Sequence, residues 1–216
     1  MSMAWMPMCG QSWLAAAASF LGMWIVMMAA MMLPSLVPAL WRYRQSVGGA
    51  GELPRVAATA LVAVGYFVVW TLLGAAVYPL RSILTTVTTR HAGLTPMVPF
   101  AAGLVVLIAG ALQLTRWKAR HLACCRGRHC HEPLPADPLT AVRHGLRLGL
   151  HCSQCCAGLT AVLLVTGIMD VPAMAAVTAG IALERLAPAG ERIAQVIGVI
   201  VAGAGVLLIA RAATPS

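Results

Sequence analysis

Sulfur is concentrated in two parts of the chain. Nine of the twelve methionines fall within the first 32 positions: Met1, Met3, Met6 and Met8, then Met23, Met27, Met28, Met31 and Met32. Six of seven cysteines and five of six histidines fall between His121 and Cys156. Thioethers and thiolates are soft donors that select Cu(I), and imidazole suits copper and zinc. Residues four apart stack on one helical face. Met23, Met27 and Met31 therefore form one column, and Met28 with Met32 forms a neighbouring one. Such a column is one way to move Cu(I) through a membrane without charging the lipid. The competing explanation is packing, because methionine is a flexible apolar gap-filler. It is weaker for Met1, Met3, Met6, Met8 and Cys9, an N-terminal segment with less to pack against.

The cysteine and histidine group divides in two. The first part is His121, Cys124, Cys125, His129, Cys130 and His131; the second is His151, Cys152, Cys155 and Cys156. Cys152, Cys155 and Cys156 stand at i, i+3 and i+4, so their thiols share one helix face, which His151 borders. Cys124, Cys125 and Cys130 are closely spaced but match no paired CxxC zinc hook. Both parts read as soft-metal ligands, Cu(I) first and Zn(II) as the alternative, with the geometry open. Nearby arginines favour the thiolate, the form that ligates. Here too packing competes, since cysteine in a membrane helix is a small apolar residue. Cytoplasmic placement of the first part argues against structural disulfides. His91 and His144 read as surface or interface residues, and Gln113 and Gln154 as partners across two helices. Glu184 reads as a helix-end residue reaching for the interface, with a partner that supports the metal ligands as the alternative.

The elements that must position these groups are membrane helices. The chain of 216 residues is 60% hydrophobic and 10% charged, with a mean hydropathy of +0.85. A soluble domain carries about a quarter charged residues. Lipid needs no charge, so a hydrocarbon-facing surface accounts for the deficit. The formal net charge of +9 lies in short connections with no interleaved aromatic residues, which excludes a nucleic-acid surface and reads as an orientation signal.

Six apolar runs are visible: Ser19 to Trp41, Val56 to Tyr78, Phe100 to Leu114, Leu146 to Met169, Val171 to Leu186 and Ile193 to Ala210. A hydrocarbon core of about 30 Å needs roughly 20 helical residues. The third and fifth runs are short. The expectation is an all-α polytopic bundle of about six spans, or five if one run is re-entrant or interfacial. It forms a single integral membrane domain over 1–216 with a Cys/His/Arg-rich cytoplasmic loop at 116–147. With the N-terminus outside, twelve of the fifteen Lys and Arg residues fall in cytoplasmic connections and three outside, which sets an N-out, C-out orientation in the inner membrane. Met1 to Trp13 carries no Lys or Arg, so the first apolar run reads as a retained helix rather than a cleaved signal.

The run Met23-Trp24-Ile25-Val26-Met27-Met28-Ala29-Ala30-Met31-Met32-Leu33-Pro34-Ser35 resembles the signature of a bacterial family of predicted metal-binding integral membrane proteins, a domain of unknown function. Gly65-Tyr66 with Trp70, Gln113-Leu114 ahead of Lys118 and Cys124-Cys125-Arg126, and Gly149 to Cys156 are similar to its later blocks, and Glu184-Arg185 falls at its acidic–basic pair. The resemblance covers nearly the whole chain and implies a multi-helix inner-membrane protein that binds metal, with no established activity. This sequence departs from the pattern at Arg185, where lysine is expected, at Ser153-Gln154, and in the additional His129-Cys130-His131.

The leading reading is a protein that binds Cu(I) and delivers or transports it across the inner membrane. The N-terminal thioethers would collect the ion, Met23, Met27 and Met31 would pass it inward, and Cys152, Cys155 and Cys156 would receive it. Partners are then the bilayer and a protein that donates or accepts metal, with no nucleic acid. Two other classes compete: a membrane thiol–disulfide oxidoreductase, and a metal-free assembly subunit whose sulfur only packs. No GxxxxGK[ST] loop is present, so this chain does not carry its own ATP-driven pump.

Overall fold

The computed structural model describes residues 12–47, 51–91, 93, 97–125, 137–167 and 170–214, with 123–125 described by their backbone. Long apolar stretches in lipid must satisfy every backbone N–H and C=O internally, and a helix does so within one segment. The described residues accordingly form seven helices: α1 (Trp13–Ser46), α2 (Glu52–Arg90), α3 (Met97–Gln113), α4 (Arg116–Cys125), α5 (Pro138–Thr166), α6 (Val171–Leu186) and α7 (Gly190–Ala213). No strand occurs among them.

Local signals set the ends. Ser12 caps α1 by accepting from the Ala15 N–H at 3.3 Å. Asp137 caps α5 by accepting from Thr140 N–H at 3.0 Å, with Pro138 following. Asp170 caps α6 through the Ala173 N–H at 3.0 Å, with a proline in the first turn. A short oxygen-bearing side chain that satisfies an orphan N–H, followed by a proline needing none, is a standard helix start. Gly167, at φ 119°, ends α5 in backbone that a side chain would disfavour.

At 1.5 Å per residue, α1, α2, α5 and α7 run to about 51, 58, 43 and 36 Å, each longer than a hydrocarbon core. These four are apolar enough to cross a membrane. A fifth span forms only if α3 and α4, bent by 65° at their junction, are taken together. The fifth expected run is α6, whose 16 residues give about 24 Å, short of the core thickness. Four to five helices therefore meet the length requirement, rather than six. The expected loop at 116–147 is also helical at both ends: α4 occupies 116–125, and α5 begins at Pro138, well before the apolar run at Leu146.

The most extensive helix pairings are α3 with α7 and α2 with α5. Without a hydrophobic drive in lipid, helices associate by close packing of small residues. A Cβ at Gly65 would stand 2.6 Å from Val142 O, and one at Gly145 would collide with the Val62 backbone. Gly103, Gly110, Gly198 and Gly205 do the same between α3 and α7, whereas Gly203 faces open space. α1 is held to α2 by the Trp24 indole, which donates to Trp70 O at 2.9 Å and lies where a Cβ on Gly74 would stand. These contacts enclose one core in which the α1 methionines, Tyr66, Trp70 and the three α5 cysteines pack together.

Candidate metal site

The two sulfur groups meet in that core. Cys152, Cys155 and Cys156 are buried and carry free thiols. From α1, Met28 and Met32 are fully enclosed, and Met27 and Met31 nearly so. Cys152 Sγ lies 4.0 Å from Met32 Sδ. The Cys156 thiol is in hydrogen-bond contact with both Cys152 and Cys155. The methionine in contact with a thiol is thus Met32, of the Met28 and Met32 column, one step around the helix from Met23, Met27 and Met31. Met23 is only partly buried and packs at the edge of the core.

Two further groups hold the thiols. The Tyr66 hydroxyl on α2 is 2.9 Å from Cys152 Sγ. Arg185 on α6 donates to Ser35 Oγ at 3.3 Å, and Ser35 donates to Met32 O at 2.9 Å. This ties the guanidinium to the turn of α1 that carries Met32. The Arg185 charge is close enough to act on both Cys152 and Cys156.

Beside the thiols lies a polar network whose pairing of Glu184 with Lys118 and Gln113 the sequence reading did not foresee. Lys118 on α4 and Glu184 on α6 are both buried and pair at 2.8 Å. Lys118 Nζ also donates to Cys155 O at 2.5 Å, and Gln113 at the end of α3 donates to Glu184 at 2.8 Å. Three readings are thereby corrected. Glu184 is not a helix-end group reaching for the interface, Lys118 is not an exposed orientation charge, and Gln113 pairs with Glu184 rather than with Gln154, which is exposed. In a low-dielectric bundle an isolated charge is expensive, so the polar groups of three helices converge. The signal was present in the placement of Gln113, Lys118 and Glu184 within or beside apolar runs.

His151 is partly buried on α5, and its ring lies 6.1 Å from that of His121 on α4. His144 stacks on Tyr43 with centroids 5.2 Å apart, an interface role as expected. The side chains of Cys124 and Cys125, all of Cys130, His129 and His131, and the N-terminal Met1 to Cys9 segment lie outside the described residues.

Among the described residues no set of three or more His, Cys, Asp or Glu is arranged to hold a metal ion. Cys152, Cys155 and Cys156 do not by themselves make a three-thiolate site. A mixed sulfur set fits better. At a metal–sulfur distance of about 2.3 Å, two sulfurs in a trigonal plane stand about 4 Å apart, which matches Cys152 Sγ and Met32 Sδ at 4.0 Å. Two thiols, a thioether and a dry surround suit a soft monovalent ion.

A model of the copper chaperone family PpoB2 matches residues 21–208. No curated protein and no solved structure matches. The matched segment holds every described sulfur of the core, and the chain belongs to this copper chaperone family. The family names copper where the resemblance in the sequence implied an unspecified metal.

Proposed function

We propose that this member of a copper chaperone family binds Cu(I) within its membrane bundle, at Cys152, Cys156 and Met32, and exchanges it with a protein partner. The observation that carries the reading is the 4.0 Å approach of Cys152 Sγ to Met32 Sδ across two helices, with Cys156 in contact alongside. Copper is the cargo in this account. Sulfur ligands of two kinds select Cu(I) over hard cations, and Zn(II), which takes four ligands in its structural sites, is less well served. Ligation releases thiol protons, and Cu(I) on two thiolates carries a net charge of −1. The Arg185 guanidinium offsets that charge, which would otherwise be costly in a low-dielectric interior.

The enclosed Met28, and Met27 and Met31 beside it, give soft ligands along α1 leading away from Met32. They serve as weaker stations on the path of the ion between the thiols and the membrane surface, and a partner receives or supplies copper at its end. Cys155 lends its carbonyl to Lys118, and the thiol that meets Met32 is that of Cys152, so Cys155 supports the site rather than ligating first.

The test is Cu(I) binding to the purified full-length chain, measured anaerobically against a chromogenic competitor, with X-ray absorption at the copper edge. The wild type is expected to show a tight, sulfur-ligated ion. Cys152→Ser and Cys156→Ser are expected to abolish it, and Met32→Leu to weaken it while leaving the fold intact. Unchanged copper content in both serine variants would sink the reading.

A further inference from the structure

We propose that His121 and His151 form a second, nitrogen-ligated copper station at the junction of α4 and α5, directly beside the sulfur site. Their rings stand 6.1 Å apart between centroids and are tilted by 40°. Metal–nitrogen bonds of about 2 Å put two imidazoles sharing one ion on the order of 6 Å apart between centroids. The observed spacing is that of two rings with room for an ion between them. It is too wide for a direct ring stack.

A second observation points to a ligand. Nδ1 of His151 is buried and makes no hydrogen bond. A buried polar atom left without a partner costs free energy, and an imidazole nitrogen kept in that state has a metal ion as a natural occupant. The partner ring is fixed in turn: His121 packs against Trp117 on its own helix, with centroids 4.4 Å apart. Both histidines are half-buried, unlike the enclosed thiols. His151 is also the immediate chain neighbour of Cys152. One helix therefore carries a shallower nitrogen ligand next to a deeper sulfur ligand.

The chemistry assigns the ion class. A site with two imidazoles and, among the described residues, no third His, Cys, Asp or Glu grouped with them suits Cu(I), which is content with two ligands, better than Zn(II), which takes four in structural sites. Neutral nitrogen holds Cu(I) less tightly than thiolate sulfur. The pair is then a transfer position through which copper moves between the sulfur site and a protein partner that reaches the half-buried histidines where α4 packs against α5. This deepens the copper reading above and rests on it for its role, although the histidine station can be detected without the sulfur site.

The experiment uses the full-length chain carrying a non-histidine affinity tag. Diethyl pyrocarbonate modification of each histidine is read by mass spectrometry with and without Cu(I). Bound Cu(I) is expected to remove most of the labelling at His121 and His151 and to leave His91 and His144 unchanged. The same protection is expected in Cys152→Ser/Cys156→Ser, where the sulfur site is gone. His121→Gln and His151→Gln are each expected to lose one Cu(I) equivalent relative to wild type, with the nitrogen contribution to the absorption spectrum reduced and the sulfur contribution kept. Equal labelling with and without Cu(I) in the wild type overturns the station. So does protection that disappears in the double serine variant, because it would then report the sulfur site alone. If the serine variants keep all their copper while protection persists, the sulfur reading fails and the histidine station stands.

Discussion

At the scale of single residues, the contact between Tyr66 and Cys152 is the most informative. A phenol 2.9 Å from a thiol orients the sulfur, and in the proposed copper site it would stabilise the thiolate as outer-sphere partners do at metal centres. Tyr66→Phe is expected to weaken Cu(I) binding by about 10–100-fold, the usual cost of removing such a partner, with unfolding temperature nearly unchanged. A competition titration reads the first and a thermal melt in detergent the second. An affinity equal to wild type would mean that Tyr66 only packs. By contrast Cys155→Ala is expected to cost less affinity than Cys152→Ala, because Cys152 is the thiol in contact with both Met32 and Tyr66.

At the scale of elements, two devices hold the helices around the site. One is the bare backbone contact of α2 with α5. Gly145→Leu must push the Val62 backbone away, and overpacking of this kind costs about 1–3 kcal/mol or more. Gly203→Leu meets nothing within 4 Å and is expected to be neutral. Comparable melting temperatures for the two variants would contradict the packing described. The other device is the Lys118–Glu184 pair. Lys118→Met leaves Glu184 buried without its countercharge, which typically costs about 3–5 kcal/mol. Lys118→Met/Glu184→Met removes both charges and should recover much of the loss. A double variant no more stable than the single one would show that the pair does more than neutralise itself.

At the scale of the whole molecule, the arrangement bears on topology. Gln113 ends α3, and Glu184 lies two residues from the end of α6; their hydrogen bond puts those two ends on one side of the bundle. Arg44 near the end of α1 pairs with Glu52 at the start of α2. The connections rich in Lys and Arg follow α1, α3 and α6. On the positive-inside rule the expectation is that all three lie in the cytoplasm with both termini outside, which needs six crossings and so requires the 16-residue α6 to cross as well. Accessibility of single cysteines placed at Ser46 and Thr214 in a cysteine-free background tests this. The expected result is protection of the first and labelling of the second by an impermeant reagent in intact cells. The reverse pattern would invert the orientation.

The sequence determined much by itself. Apolar runs with few charges leave helices as the economical way to satisfy the backbone in lipid, and Asp137, Asp170 and the following prolines mark two helix starts without reference to anything distant. The i, i+3, i+4 spacing placed three thiols on one face, and the α1 pattern put methionines in two columns. What only the tertiary structure decided is which of these faces each other. The rotation of α1 that turns Met32, rather than Met23, toward Cys152 depends on Trp24 docking against Trp70 and on glycine contacts far apart in the chain. The convergence of Gln113, Lys118 and Glu184 depends on the bend after α3 and on the placing of α6. Local spacing specifies a face, but the partner of that face is set by packing between residues as much as 150 positions apart, and no periodicity along the chain encodes it.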